Sequence, residues 1–243
     1  MTKEKRLVWD LPLRLFHWLL AISLAGSWYT AENGSEFLNI GDTPLAYIQI
    51  HFYLGYFALG MVTFRIIWGF VGPRHARFST FLAGGSKFAS YARGLFKRDS
   101  APAVGHNPVG GWMVVLMLLM VGAQAVTGLF LIDNTEIWPA PYHPAVSGET
   151  AASLGKFHRI NFNVLLWMVS LHVLAILFYV FYKRQNLVGP MLAGHKPGHI
   201  VPAHEAIASS QLLKALIIAL LCAGAVYLLL SQAPPPPVDD YSY

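Results

Sequence analysis

Residues 153–182 read SLGKFHRINFNVLLWMVSLHVLAILFYVFY. At about 1.5 Å of rise per residue a helix of this length crosses the roughly 30 Å hydrocarbon core of a bilayer. The stretch carries two histidines, His158 and His172. Their spacing of fourteen residues is close to four whole helical turns and about 21 Å of rise. Both imidazoles therefore leave one face of the helix, at two depths.

Moving outward from this stretch, four more apolar blocks appear, and together the five spans are expected at about 11–30, 46–71, 109–132, 153–182 and 212–230. The whole chain of 243 residues is 55% hydrophobic and only 12% charged, about half the charge of an ordinary soluble domain. That balance excludes a disordered chain and argues against a soluble globule. Each span is expected to be a helix, because lipid offers the backbone no hydrogen-bond partner. The fold class is an all-α integral membrane protein: a four-helix bundle with a fifth C-terminal transmembrane helix. Residues 1–188 form the bundle, 189–211 a cytoplasmic linker, 212–230 the fifth helix and 231–243 a Pro-rich extracytoplasmic tail. The four prolines Pro234–Pro237 cannot be helical and read as an extended stub. A basic start and Ala25-Gly26-Ser27 give the first span a signal-peptide look, but Arg14 and His17 interrupt its apolar run, so it is expected to be retained.

Charge sets the orientation. Residues 1–14 carry Lys3, Lys5, Arg6 and Arg14 against Glu4 and Asp10, and 72–108 carry Arg74, Arg77, Lys87, Arg93, Lys97 and Arg98 against Asp99. Residues 183–211 carry Lys183, Arg184 and Lys196 against Glu205. Residues 31–45 hold only Glu32, Glu36 and Asp42, residues 133–152 only Asp133, Glu136 and Glu149, and the tail only Asp239 and Asp240. Lys and Arg alternate with span parity, which places the N-terminus in the cytoplasm and the C-terminus outside. The formal +5 is thus a topology signal rather than a nucleic-acid footprint. Trp9, Trp28, Tyr29, Tyr47, Trp68, Trp112, Tyr179 and Tyr182 near span ends suit an interfacial belt. Residues 78–97 read as one amphipathic helix on the inner surface.

Ionisable groups inside a membrane are costly and point to function. Four of the ten histidines qualify: His17, His51, His158 and His172. By the derived topology His17 lies at the depth of His172, and His51 at the depth of His158. Two depth-matched pairs are what two bis-His haems in a bundle need, since haem iron takes axial nitrogens from opposite sides. The competing readings are buried structural histidines and a proton relay. A relay would also enlist carboxylates, and these spans hold none at depth.

Gly55, one turn after His51, shares its face and would let a flat ring approach; close helix packing uses the same small residue. Arg14, Arg65, Lys156 and Arg159, near span ends, are candidates to pair with haem propionates or to snorkel to headgroups. The other histidines, His75, His106, His143, His195, His199 and His204, fall in loops, and Asn107 reads as a helix-start turn. The single cysteine, Cys222, excludes an intrachain disulfide framework, a Cys-rich zinc site and a Cys-ligated iron–sulfur cluster, and reads as a buried small residue. Without Cys-x-x-Cys-His there is no c-type haem attachment.

Several of these residues fall into recognisable motifs. They are Trp9-Asp10-x-Pro12-x-Arg14-x-x-His17-Trp18, His51 with Gly55, Arg65-x-x-Trp68-Gly69, Pro73-Arg74-x-Ala76-Arg77-Phe78 and Gly105-His106-Asn107-Pro108-x-Gly110-Gly111. His158 and His172, followed by Lys183-Arg184-x-Asn186-Leu187, complete the set. In this combination, over residues 7–195, the chain resembles the bacterial cytochrome b561 family, which includes the b-type cytochrome subunit of nickel–iron hydrogenases. The resemblance implies two haem b groups ligated by His17, His51, His158 and His172, and quinone as an exchangeable substrate. It further implies electron transfer in a respiratory chain between the quinone pool and a cytochrome c or catalytic redox subunit on the extracytoplasmic side of the bacterial inner membrane. Homo-oligomers are compatible with it. The rival functions are a membrane-anchor cytochrome of a periplasmic hydrogenase or other dehydrogenase, and a non-haem His-based transporter or proton channel. Quinone oxidoreductase activity, alone or as a complex subunit, is the enzymatic form of the first reading.

Overall fold

The computed structural model describes residues 4–41, 43–98, 100–133 and 137–235. Lys3, Asp42, Asp99, Glu136, Asp239 and Asp240, invoked for topology, lie outside the described residues, as do Pro236 and Pro237 of the tail. The elements run in chain order as β1 (Lys5–Leu7), α1 (Leu11–Glu32), β2 (Phe37–Ile40), β3 (Thr43–Ala46), α2 (Tyr47–Val71), α3 (Phe78–Phe81) and α4 (Gly85–Arg93). They continue as α5 (Pro108–Gly128), α6 (Gly148–Leu177), α7 (Val188–Ala193), β4 (His195–Pro197) and α8 (Leu212–Ser231).

Among the described residues four helical stretches are long and apolar enough to cross a membrane: Tyr47–Val71, Pro108–Gly128, Gly148–Tyr182 and Leu212–Ser231. α1, at 22 residues, has the length, but Arg14, His17, Ser23, Ser27, Thr30 and Glu32 dilute its apolar run. Large apolar side chains face outward along these helices, Trp167 at 77% exposure and Leu213 at 72% among them. Such a surface suits lipid and not water. The chain is a multi-pass membrane protein.

Helix ends depart from the sequence expectation where local chemistry intervenes. α6 starts at Gly148, five residues before the expected 153, because Ser147 caps it: the Thr150 amide donates to Ser147 Oγ at 3.2 Å, with Glu149 in the first turn. α5 stops at Gly128 rather than 132. There the chain becomes extended, and the Tyr142 and Ala140 amides donate to the Leu129 and Leu131 carbonyls, both at 2.8 Å. The amphipathic stretch 78–97 is not one helix but α3 and α4, parted at residues 82–84. α6 ends in one wide turn with π-type bonding, Phe178–Tyr182.

The chain forms two compact units. The first comprises Met1–Leu19, Thr63–Leu119 and Leu165–Ala219. Its core gathers Val8, Trp9, Leu13, Phe64, Trp68, Phe81 and Val201. β1 pairs antiparallel with β4, Arg6 opposite Lys196, so the region expected as a linker carries structure of its own. Asp10 caps α1: the Leu13 amide donates to its Oδ1 at 2.9 Å, and Trp68 Nε1 donates to the same oxygen at 3.0 Å. Gly194 ends α7 at φ +84. A Cβ there would stand 2.8 Å from the Trp9 carbonyl, so both backbone angle and space require glycine. Its carbonyl accepts from the Val8 and Trp9 amides at 2.9 and 3.0 Å.

The second unit comprises Leu20–Val62, Met120–Val164 and Leu220–Tyr243. Val62, Val121, Ala125, Leu129, Ala151 and Cys222 are buried in it. Asn161 Nδ2 donates to the Met120 carbonyl and to Gln124 Oε1 at 2.9 and 2.7 Å, satisfying an amide that hydrocarbon would otherwise penalise. The β2–β3 hairpin pairs Phe37 with Ala46 through Ile40 with Thr43.

Candidate haem-binding sites

His17 of α1 and His172 of α6 face each other in the first unit, their ring centroids 6.3 Å apart at 53°. His51 of α2 and His158 of α6 do the same in the second, 6.5 Å apart at 68°. All four are half-buried. The close pairs are therefore 17 with 172 and 51 with 158, and α6 contributes to both.

The ring nitrogens say which atoms are free. His51 Nδ1 lies 2.8 Å from the Ser27 carbonyl. A carbonyl can only accept, so Nδ1 carries the proton and Nε2 keeps its lone pair. His158 Nδ1 lies 2.9 Å from Thr127 Oγ1. That hydroxyl donates to the Ala123 carbonyl at 2.7 Å, leaving its oxygen to accept from Nδ1–H, and the Gln124 backbone also hydrogen-bonds the ring. His17 Nδ1 is buried without a partner, and Trp18 packs edge-on against the ring at 5.0 Å.

These rings fit one metal between each pair. A metal–imidazole nitrogen bond is about 2 Å and the nitrogen stands about 1.2 Å from its ring centre, so two opposed imidazoles on one iron have centroids about 6.4 Å apart. Space agrees: a Cβ on Gly55 would meet nothing within 4 Å, and one on Gly128 would stand 3.4 Å from His158 Cε1. Thr127 was not singled out by sequence reasoning. Its signal is its place one residue before Gly128, as the single hydroxyl-bearing residue of α5.

The four cationic candidates separate. Arg65 is 1% exposed with Nη1 and Nη2 unpartnered. Arg14 donates to the Leu192 carbonyl, while its Nε is buried without a partner. Both lie in the unit of His17 and His172. Lys156 and Arg159 lie in the unit of His51 and His158, exposed, and make no hydrogen bond or ion pair among the described residues.

Two loop histidines prove to be inside. His75 is buried and its Nε2 donates to the Glu205 carbonyl at 2.8 Å. His106 packs between Trp9 and Phe81, centroids 4.7 and 4.5 Å away. Burial pushes the His106 imidazole down to about 3, aided by Arg65, Lys196, His75 and His17, and it lowers His75 as well. Buried Lys196, driven down to about 8 by desolvation, donates to the Ala103 and Val104 carbonyls at 2.9 and 2.7 Å. Desolvation likewise raises the Asp10 carboxyl. The signal for His106 was its setting in Gly105-His106-Asn107-Pro108. Asn107 itself is the helix-start turn expected, its Oδ1 accepting from the Gly110 amide at 2.7 Å. His195, His199 and His204 are exposed.

Two close imidazole pairs on a multi-pass helical scaffold make a candidate haem-binding membrane protein. The sequence profile described as prokaryotic cytochrome b561 matches residues 8–194, and the chain belongs to that family. It is a b-type cytochrome of membrane electron transport, and the group it holds is haem b. Three similar proteins are each called "Probable Ni/Fe-hydrogenase B-type cytochrome subunit", that of Escherichia coli K12 with a "1" after hydrogenase. The Rhodobacter capsulatus protein is 23% identical, covering 78% of this chain and 80% of its own length. The Azotobacter vinelandii protein is 27% identical (77% and 86%), and the Escherichia coli K12 protein 25% identical (78% and 89%). No solved structure matches.

Proposed function

We propose that the chain holds two haem b groups, one on His17 and His172 and one on His51 and His158. Electrons then pass between a quinone pool and a redox partner protein. The carrying observation is the pair of imidazole separations, 6.3 and 6.5 Å. Bound haem supplies one-electron chemistry at iron. His17, His172, His51 and His158 would hold the iron of such groups, and the Ser27 carbonyl and Thr127 hydroxyl orient the His51 and His158 rings. Gly55 leaves room for the macrocycle, and Arg14, Lys156 and Arg159 are the flanking cations available to it.

The relatives' names favour one form of this reading: a membrane-anchor cytochrome whose partner is a hydrogenase catalytic subunit. By the alternation of Lys and Arg the N-terminus is cytoplasmic in a bacterial inner membrane, and the partner docks outside on the acidic loops. A dithionite-minus-oxidised spectrum with haem quantitation tests the proposal, with two b-type haems per chain expected. The absence of any b-type band would overturn it in favour of a His-based transporter or channel. Co-purification of a stoichiometric hydrogenase separates an anchor from a free-standing quinone oxidoreductase.

A further inference from the structure

Arg65 is the group least explained so far. A guanidinium keeps its charge at every accessible pH, yet this one is 1% exposed and both terminal nitrogens lack a partner. Its surroundings are aromatic: the guanidinium carbon lies 4.9 Å from the centre of Phe78 and 5.9 Å from that of Phe81. Rings soften the burial of a cation but do not replace an anion. Asp10 lies within electrostatic reach of Arg65 and its Oδ2 is buried and unpartnered, but the two make no ion pair among the described residues, and Asp10 Oδ1 is taken by Leu13 and Trp68.

A second unpartnered atom lies beside the first. Phe81, which Arg65 overlies, also packs on His106, whose Nδ1 is buried and unpartnered. Past His106 opens a cavity of about 710 Å³ that reaches Arg74 and Arg77. Arg65 also follows His51 on α2 by fourteen residues, about four turns, and so shares the ligand-bearing face of that helix. His17 lies within electrostatic reach of His106.

We propose that the Arg65 guanidinium, with His106 Nδ1–H beside it, is a built carboxylate-binding site, and that the carboxylate is a propionate of the haem held by His17 and His172. This rests on the dihaem reading. Two N–H donors of the fork and one imidazole donor match a carboxylate's acceptors, and the buried charge then has its counter-ion.

Release of each haem to excess apomyoglobin from the detergent-solubilised holoprotein reads the contact directly. Arg65→Gln should speed loss of the His17/His172 haem about tenfold and leave the other haem alone, with His106→Phe giving a smaller effect and Arg65→Lys recovering part. Reconstitution with haem dimethyl ester, which has no free carboxylate, should speed release from the same site in unmutated protein and abolish the difference between it and Arg65→Gln. In a redox titration, Arg65→Gln should lower the reduced-to-oxidised ratio of that haem about tenfold at fixed ambient potential, about 59 mV for a one-electron couple. Unchanged release in Arg65→Gln overturns the proposal. So does a difference that persists with the ester, which would assign the site to a phosphate or lipid headgroup entering through the cavity, or to Asp10 through water. If His17→Ala leaves the haem spectrum of the unmutated protein intact, the dihaem reading itself fails instead.

Discussion

At the His51/His158 pair each Nδ1 meets a neutral acceptor, the Ser27 carbonyl at 2.8 Å and the Thr127 hydroxyl at 2.9 Å. At the His17/His172 pair, His17 Nδ1 has no partner, and the same unit buries Asp10, Arg65, His75 and Lys196. One pair is oriented by short neutral hydrogen bonds, while the other is oriented by packing, with charge gathered around it. Hydrogen bonds to a ligand's far nitrogen fix its tautomer and raise its basicity, whereas nearby cations favour the electron-bearing form of a cofactor. On the proposed dihaem reading, the same four-imidazole pattern gives two sites with separate levers.

The largest effect should come from the ligands. His17→Ala or His172→Ala should each remove one and the same haem, about half of the b-type absorbance, and His51→Ala or His158→Ala the other half. Separate redox titrations of the four variants check this. If His17 and His51 lost a common haem, the pairing and the comparison built on it would break.

Next in size is Thr127→Val. It keeps shape and removes the acceptor for His158 Nδ1–H. Haem affinity at that site should fall by about tenfold and its potential should rise, since a less basic imidazole stabilises ferric iron less. The His17/His172 haem should not respond. A response at both sites would mean that Thr127 acts through the bundle as a whole and not through one ring.

The helix that carries His158 and His172 was legible in sequence because two rules coincide on it: a span must be apolar, and histidines fourteen apart must share a face. What starts α1 is seen only in the structure: Asp10, a charge and a motif residue in the sequence, caps the helix. What surrounds the His17/His172 pair was not legible. Arg6 pairs with Lys196 across 190 positions of chain through strands of three residues, too short for alternation to show. His106 and His75 read as loop residues because they lie outside regular helices, and only the packing of Trp9, Phe81 and Glu205 against them reveals their burial.

Lys196→Met sharpens the claim that, among the described residues, buried charge belongs to one unit only. It removes donors to the Ala103 and Val104 carbonyls, a loss of about 2 kcal/mol. The lysine is held near 8 in the folded chain against 10.5 when free. Between those values the unfolded chain binds more protons, so folding stability should rise with pH from about 8 to 10.5. Thermal unfolding in detergent across that window should show the rise in the unmutated protein and lose it in Lys196→Met. A rise that survives the substitution would place the titrating group elsewhere.

The smallest effect is at Asp10, and it separates the two jobs of one carboxylate. Burial raises its pKa. As pH climbs from the free-carboxyl value through the folded one, the unfolded chain releases the proton first, and stability falls. Asp10→Asn keeps an oxygen to accept from the Leu13 amide and Trp68 Nε1, and Asn caps helices about as well as Asp. It should therefore cost less than about 0.5 kcal/mol near neutral pH and flatten the acid side of the stability profile. Asp10→Ala, which loses both bonds, should cost about 1–2 kcal/mol at every pH. If Asn and Ala were equally damaging, the negative charge itself would be what this unit needs, and Asp10 rather than a bound carboxylate would be the counter-ion of Arg65.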